Sequence, residues 1–476
     1  MKVLLIATPY LSIYDVLRPI ARSYFPIGLG YIASVLINSG FEVKIIDPEV
    51  SSMNECAISS VVKNFSPDIV GISSATANIC KARDLAVIVK KESRSHVVLG
   101  GPHASSLPYL TLEQFPEFDI VVFGEGEFTM LELCEELRDG KGEMHKIKGL
   151  SYRSKGNIIT NEPRPWIKDL DKLPFPNRDL LNISLYKPQT NMERGKKSAV
   201  IITSRGCPFG CTFCASYYTE GRIFRPHSPQ YVVSEIECLI NNYGVEYFLI
   251  QDDGFTTSPE RVKKICQIII DKSLDIEWWC HSRVDIVTQD LLVLMKKAGC
   301  VHISYGVESG SEDILNSYQK GISLAQCRKA LKISNDLGLK THCFFIFGNM
   351  NETKESIEKT IKFAIELAPT ASSFTMLIPY PGTKEFERTN LNPRDASIWK
   401  NFVTISGAPV ITSKNFSKKK LQFYIAKAYI KFYLRPVQII RITKSLSSFA
   451  EFKVYIRSAL ALLFQIFKWI GANRAG

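Results

Sequence analysis

Short apolar runs punctuate the first part of the chain, and each gap between them leaves room for one helix. Val3–Ala7, Phe41–Ile46, Ile69–Ser73, Val97–Leu99 and Ile120–Phe123 read as strands, and Gly28–Asn38 reads as a helix stopped at Gly40. Strands alternating with helices predict an α/β unit over residues 1–140, a doubly wound parallel sheet with helices on both faces. Ligands of such sheets lie beyond the carboxyl ends of the strands. Those ends carry Ser73-Ser74, Gly100-Gly101-Pro102-His103 and Gly124-Glu125-Gly126-Glu127.

Residues 141–198 break the alternation. Gly149–Thr160, centred on Lys155-Gly156-Asn157, reads as a hairpin, and Pro163, Pro165, Pro174 and Pro176 mark an irregular linker. The pattern resumes over residues 199–400. Ala199–Thr203, Tyr247–Gln251, Ile276–Cys280, His302–Gly306, Thr341–Phe347 and Ser373–Ile378 read as strands, separated by helical stretches such as Pro229–Asn241 and Glu355–Leu367. Six strand–helix units predict a full or partial parallel barrel, a fold that places its chemistry at the carboxyl ends of its strands. Cys207, Asp252-Asp253, Arg283, Glu308 and Gly348 all fall there. Residues 401–476 read as a helical tail, with Leu421–Tyr433 and Phe452–Ile470 separated by Pro436.

The chain has 476 residues, 45% apolar and 22% charged, as expected of a globular protein of two or three domains. No run is long and apolar enough for a membrane-spanning helix, and the N-terminus reads as a buried strand rather than a signal peptide. Twelve cysteines without a secretion signal predict a reducing, cytoplasmic setting. The net charge of +12 is uneven: residues 414–476 hold thirteen Lys/Arg and one acid, Glu451, and the rest of the chain balances to zero.

Cys207, Cys211 and Cys214 stand apart from the scattered cysteines, as Cys207-Pro-Phe-Gly-Cys211-Thr-Phe-Cys214 after the first barrel strand. Three thiolates on one tight loop can hold three corners of a cubane iron–sulfur cluster and leave the fourth iron open. The alternatives are chance clustering or a zinc site, for which His227 is the only local fourth ligand.

The spacing Cys-x3-Cys-x2-Cys, with Phe213 before the last cysteine, resembles the signature of the radical S-adenosylmethionine superfamily. TSRGCPFGCTFCA, FLIQDDGFT, RVDIV, GCVHISYGVESGSEDIL, FFIFG and PYPGT extend the likeness in order. With the sheet domain in front, the chain is similar to the cobalamin-binding subgroup over roughly residues 1–400. The resemblance implies a partial (βα)6 barrel in which Cys207, Cys211 and Cys214 ligate a [4Fe–4S] cluster and S-adenosylmethionine chelates the open iron. Asp252 and Asp253 stand where many members carry Gly-Gly-Glu, a carboxylate facing the methionine ammonium; the bland reading is a solvated turn. Arg283 is expected to pair the methionine carboxylate, and Glu308 to accept from ribose or ammonium, unless the two form an internal salt bridge. Tyr380-Pro381-Gly382-Thr383 is expected to shape the rim.

The first domain is similar to a Rossmann-like cobalamin-binding domain. Ser73, Gly100 and Gly101 match positions that line the slot for the nucleotide tail. The family's Asp-x-His-x-x-Gly motif is absent: the loop reads Thr8-Pro9-Tyr10-Leu11, so it offers cobalt no histidine and places Tyr10 near the lower face. His103 is the one histidine on a predicted slot loop, either a cofactor contact or a turn residue that packs. A sheet domain that has lost cobalamin is the alternative.

The resemblance implies hydrogen abstraction from an unactivated carbon, most directly for C-methylation of a small-molecule or lipid substrate, with electrons from a flavodoxin or ferredoxin. The subgroup also includes anaerobic magnesium-protoporphyrin ester cyclases, so ring closure on a tetrapyrrole or lipid is the alternative. The rival of another class is a non-catalytic cobalamin or redox sensor. Methylthiotransferases carry a second cysteine cluster in front, whereas residues 1–200 hold only the separate Cys56, Cys80 and Cys134. In the tail, Ile456, Leu460, Leu463, Phe467 and Ile470 recur at helical spacing beside Arg457, Lys468 and Trp469. This pattern fits peripheral contact with an anionic membrane or a helix packed on the barrel. No nucleic-acid recognition motif is present.

Overall fold

The computed structural model describes residues 1–11, 14, 21, 23–186, 196–402, 413–446 and 449–474. Two sheets organise them. The first runs β2-β1-β3-β4-β5-β6-β7, from β1 (Lys2–Ala7), β2 (Glu42–Ile46), β3 (Ile69–Ser73), β4 (His96–Gly100), β5 (Ile120–Val122), β6 (Leu150–Ser154) and β7 (Asn157–Thr160). β1 to β5 are parallel, and the strand order reverses between β1 and β3, the point at which doubly wound sheets open for a ligand. The hairpin β6–β7 does not stand in a linker: β6 pairs antiparallel with β5 and extends the sheet.

Alternation along the strands makes two cores. Val3, Leu5, Val98 and Val122 pack under α1 (Ile27–Asn38). Leu4, Ile6, Val70 and Leu99 pack on the other face, under α2 (Glu55–Phe65) and α3 (Ile79–Glu92). That second core also takes Ile398, Trp399 and Phe402 from beyond the barrel, and Trp399 Nε1 donates to Gln114 Oε1 at 2.8 Å. The chain leaving the barrel therefore returns to seal the first domain.

The second sheet is the partial barrel. β8 (Ser198–Ile201) comes first, and a two-stranded ribbon, β9 (Ser204–Arg205) with β10 (Arg225–Pro226), follows it. The remaining strands are β11 (Tyr247–Ile250), β12 (Glu277–Ser282), β13 (Cys300–Glu308), β14 (Lys340–Phe347) and β15 (Ala371–Met376). They pair in parallel in the order β15-β14-β13-β12-β11-β8, so β8 and β15 are edges and the barrel stays open. One face, including Phe248, Trp278, Cys280, Tyr305 and Phe345, lies beneath the helices. The opposite, concave face carries Leu249, Trp279, His281, His302, His342 and Phe344.

An edge strand with free N–H and C=O groups invites unwanted pairing unless it is covered. The tail covers β15. From the helix Lys418–Tyr433, Tyr433 Oη donates to Ser372 O and accepts from Ser372 N, both at 2.9 Å, and Tyr429 Oη accepts from Phe374 N at 3.2 Å. Gln438, in the next helix (Pro436–Ser445), donates to Thr370 O at 2.9 Å. In the last helix (Phe449–Arg474), Ile466 and Trp469 join the barrel core while Ile456, Leu460 and Phe467 are exposed. The tail is therefore packed through one face and apolar on the other. The side chains of Lys468 and Ile470 lie outside the described residues.

Tyr433→Phe removes one donor and one acceptor from a buried strand edge. It is expected to lower unfolding stability by about 1–3 kcal/mol, read from the urea midpoint.

Candidate active site

After β8 the chain forms β9, leaves the sheet for the cysteine loop and a one-turn helix (Tyr217–Glu220), and returns as β10. The three cysteines thus lie on an excursion closed at its base by a two-residue ribbon. Gly206 opens it with φ +82°, and a Cβ there would stand 2.2 Å from Ile223 O, so no other residue fits. All three thiols are free and half-buried. Burial pushes the Cys207 thiol up to about 11 and raises Cys214 as well, so these two favour the neutral thiol.

Among the described residues no three His, Cys, Asp or Glu side chains converge as a single metal ion requires. A cubane cluster takes each thiolate on a separate iron, so its three ligands need not meet at one point. His227 is occupied elsewhere: its Nδ1 lies 3.1 Å from Asp171 and its ring stacks on Tyr231 at 3.9 Å.

The predicted residues around the loop have divided roles. Asp252 is buried and spent within the protein, accepting from Thr203 N, Thr203 Oγ1 and Ser204 Oγ, each at 2.6 Å. It braces the entry to the cysteine loop. Asp253, the exposed member of the pair, is hydrogen-bonded to Ser216, and its charge is felt by Cys207 and Cys214.

Arg283 and Glu308 do not pair with each other. Arg283 makes two 2.9 Å bonds to Asp285, a third to Lys320 O, and stacks its guanidinium 3.6 Å over the Phe209 ring inside the cysteine loop. Glu308, at φ +67°, accepts from Lys320 Nζ at 2.7 Å. Lys320 links the two residues and feels the charge of Cys211. Phe213 packs edge-on to Tyr318 at 5.1 Å. The predicted rim clamps the loop from the far side: Tyr217 and Tyr218 both donate to Gly382 O at 2.7 Å, and Thr212 donates to buried Glu385 at 2.6 Å.

Sequence reasoning missed Lys320, Asp285 and Glu385. Asp285 carried a signal, the Arg-x-Asp spacing within RVDIV. Lys320 sits in a loop and Glu385 in the one-turn helix Lys384–Glu387, neither with a periodic pattern, so only folding brings them to the site.

Across from the loop, the carboxyl ends of the first sheet enclose a cavity of about 280 Å³ lined by Gly28, Gly71, Ser73, Gly100, Gly101 and Met130, with Arg205 and Glu220 on its barrel side. The glycines keep it open. A Cβ on Gly28 would meet nothing within 4 Å, and one on Gly100 only Val122 O at 3.8 Å, so side chains there would fill the slot. The slot opens at the switch point of the sheet, walled by glycines and aliphatic side chains on the sheet side and by Glu125, Glu127, Arg205 and Glu220 on the other.

His103 is not part of that slot. It is fully buried on the Trp399 side of the sheet, edge-on to that indole at 5.1 Å, with Nδ1 3.3 Å from Thr76 Oγ1. Burial lowers it to about 3, as for a packed core imidazole. The loop after β1 is tied down instead by Glu49, which accepts from the N–H groups of Tyr10 and Leu11 at 2.7 Å each.

The two halves of the site are joined by buried charges. Arg205 binds Glu125 at 2.9 Å and Glu127 at 2.7 Å, and Arg225 binds Glu125 at 2.8 Å. These two arginines face each other across the ribbon that closes the cysteine loop.

An open barrel with a three-cysteine loop at its strand ends, facing a Rossmann-like sheet with a cavity at its switch point, is the architecture of a cobalamin-binding radical S-adenosylmethionine enzyme. Known proteins agree. Residues 201–364 match the radical SAM superfamily, and residues 15–134 match the B12 binding domain. A Pyrococcus horikoshii protein described as an uncharacterized methyltransferase is 38% identical over 93% of this chain and 94% of its own length. The anaerobic magnesium-protoporphyrin IX monomethyl ester cyclase of Cereibacter sphaeroides is 30% identical over 87% of this chain and 68% of its own. The cobalamin-dependent radical enzyme OxsB, solved with aqua-cobalamin and S-adenosylmethionine, shares the fold at TM-score 0.72 and 18% identity, covering 98% of this chain and 72% of that one. The chain belongs to the cobalamin-binding radical SAM enzymes, whose cofactors are a [4Fe–4S] cluster, S-adenosylmethionine and cobalamin.

Replacing Cys207, Cys211 and Cys214 together by Ala should abolish the iron–sulfur absorption of the anaerobically reconstituted protein, whereas Cys238→Ala should keep it. The Co(II) form of the cobalamin-loaded protein should show no axial nitrogen splitting from a protein histidine in its electron paramagnetic resonance spectrum, and His103→Ala should leave that spectrum unchanged.

Proposed function

We propose that the reaction is methyl transfer to an unactivated carbon of a small neutral or lipid-soluble acceptor held in the barrel. The observation that carries this is a shared border. Arg205 and Glu220 line the tail slot and also flank the cysteine loop, where Glu220 accepts from Gly206 N at 3.2 Å. The bound cofactors supply hydrogen abstraction and the methyl group. Cys207, Cys211 and Cys214 hold the cluster. Asp253 suits the ammonium of S-adenosylmethionine, and the Glu308–Lys320 pair orients the opposite wall. Arg283 acts through Phe209 to hold the loop.

The concave face forms the acceptor chamber. Trp279 stacks on His302 at 5.4 Å, and His342 packs on Phe344 at 4.5 Å. Burial lowers His281 to about 4 and His342 to about 3, so this wall is aromatic and uncharged at ordinary pH. Such a wall supports an acceptor without a buried charge. We further place the enzyme in the cytoplasm, served by a flavodoxin or ferredoxin and in peripheral contact with a membrane through its tail. No described helix is long and apolar enough to cross one. Oxidative ring closure is the second reading, favoured by the likeness to the cyclase.

Turnover with S-adenosylmethionine deuterated in its methyl group separates the two. Methyl transfer predicts a product carrying that label, and 5′-deoxyadenosine and S-adenosylhomocysteine in equal amounts. Unlabelled product without S-adenosylhomocysteine would assign the enzyme to ring closure.

A further inference from the structure

The exposed apolar surface of this protein is concentrated at one end. Among the described residues, ten large apolar side chains within residues 414–476 are exposed, against seven in the rest of the chain. They are not scattered. Ile456, Leu460, Phe464 and Phe467 repeat at helical spacing along the last helix, opposite the Ile466–Trp469 seam that packs on the barrel. Val437, Ile439 and Ile440 add a second exposed apolar stretch on the helix Pro436–Ser445.

The charge of these helices is equally one-sided. Lys427 and Lys431, on the preceding helix, are taken up by Glu358 of the barrel wall. Lys444, Lys453 and Arg457 are exposed beside the apolar residues. Among the described residues no acid pairs with Lys444 or Arg457, and Glu451 is the only acid in residues 414–476.

An apolar face flanked by lysine and arginine matches the boundary between acyl chains and anionic headgroups. Water does not reward the apolar half, and a nucleic acid would not either. Another copy of this chain would set cation against cation. The last helix is not apolar enough to span a bilayer.

We propose that the helices Pro436–Ser445 and Phe449–Arg474 form an interfacial platform that binds the surface of an anionic bilayer. Leu460, Phe464 and Phe467 enter the headgroup–acyl boundary, and Lys444 and Arg457 meet lipid phosphates. The platform lies on the membrane while the Trp469 side stays packed on the barrel. This deepens the peripheral contact of the proposed function and is independent of the barrel's chemistry.

The test is vesicle flotation of the full-length holoenzyme. Vesicles of phosphatidylcholine with phosphatidylglycerol are compared with phosphatidylcholine alone, at low and high salt. The protein is expected to float with the anionic vesicles at low salt and to be largely released at high salt. The triple variant L460D/F464D/F467D and the double variant K444E/R457E should each bind roughly tenfold less. All substituted side chains are exposed, so both variants should keep the wild-type circular dichroism spectrum.

Absence of flotation would overturn the proposal, as would variants that float like the wild type. A wild-type dimer that becomes monomeric in the triple variant, without flotation, would assign the face to a second copy instead. Formation of 5′-deoxyadenosine is measured in the same samples. Flotation without it leaves the platform standing and removes the proposed chemistry; cleavage without flotation does the reverse.

Discussion

Two arginines directly opposite each other on a two-residue ribbon repel, and that repulsion is the constraint on which the site depends. Arg205 and Arg225 are such partners, and the whole cysteine loop hangs between them. Their charge is offset from the other domain, because Glu125 bridges both and Glu127 takes the second arm of Arg205. All four side chains are buried, so the pairing is little screened by water or salt. A buried ion pair gains little net stability but is costly to break. Its effect here is positional: the ribbon at the base of the cysteine loop is tied to the strand ends of the first sheet, so the loop and the cavity are set face to face by one joint.

The loop itself is held from four sides. Asp252 fixes its entry through Thr203 and Ser204, and Arg283 stacks on Phe209 within it. Glu385 holds Thr212, and the Gly382 carbonyl anchors Tyr217 and Tyr218. The carboxylates and the arginine nearest the cysteines are mostly engaged with protein, which leaves Asp253 as the exposed carboxylate beside the loop. This division is the physical reason a ligand set cannot be transferred wholesale by position. Neighbouring residues just beyond β11, Asp252 and Asp253, have opposite accessibility because Asp252 turns inward to Thr203 and Ser204 while Asp253 stands on the turn that follows.

The tail answers two structural demands with two faces. Its inner face supplies tyrosine hydroxyls and Gln438 to the open edge of β15, replacing a missing strand partner with side chains. Its outer face stays apolar and basic. Packing and surface exposure are alternatives for a residue but not for a helix, whose opposite faces meet different environments.

Most of the architecture was legible in the chain, since strand–helix periodicity is a local property and so are Cys207, Cys211 and Cys214 within one loop. The eleven strands read from apolar runs all lie in the two sheets. The slot glycines were legible for a related reason: the absence of a side chain is visible in sequence, and Gly100 leaves space wherever the chain goes. What the sequence could not determine was the partner of each charged side chain. His103 follows directly on Pro102 of the slot lining but faces Trp399, a residue nearly three hundred positions away along the chain. Glu308 met Lys320 rather than Arg283. The hairpin Gly149–Thr160 completed a sheet instead of marking a boundary, because whether a β-edge is free or paired depends on what docks beside it. Local pattern fixes which elements form. Only the tertiary structure decides which side of an element is buried and which charges find each other, because those are long-range contacts with no trace in spacing.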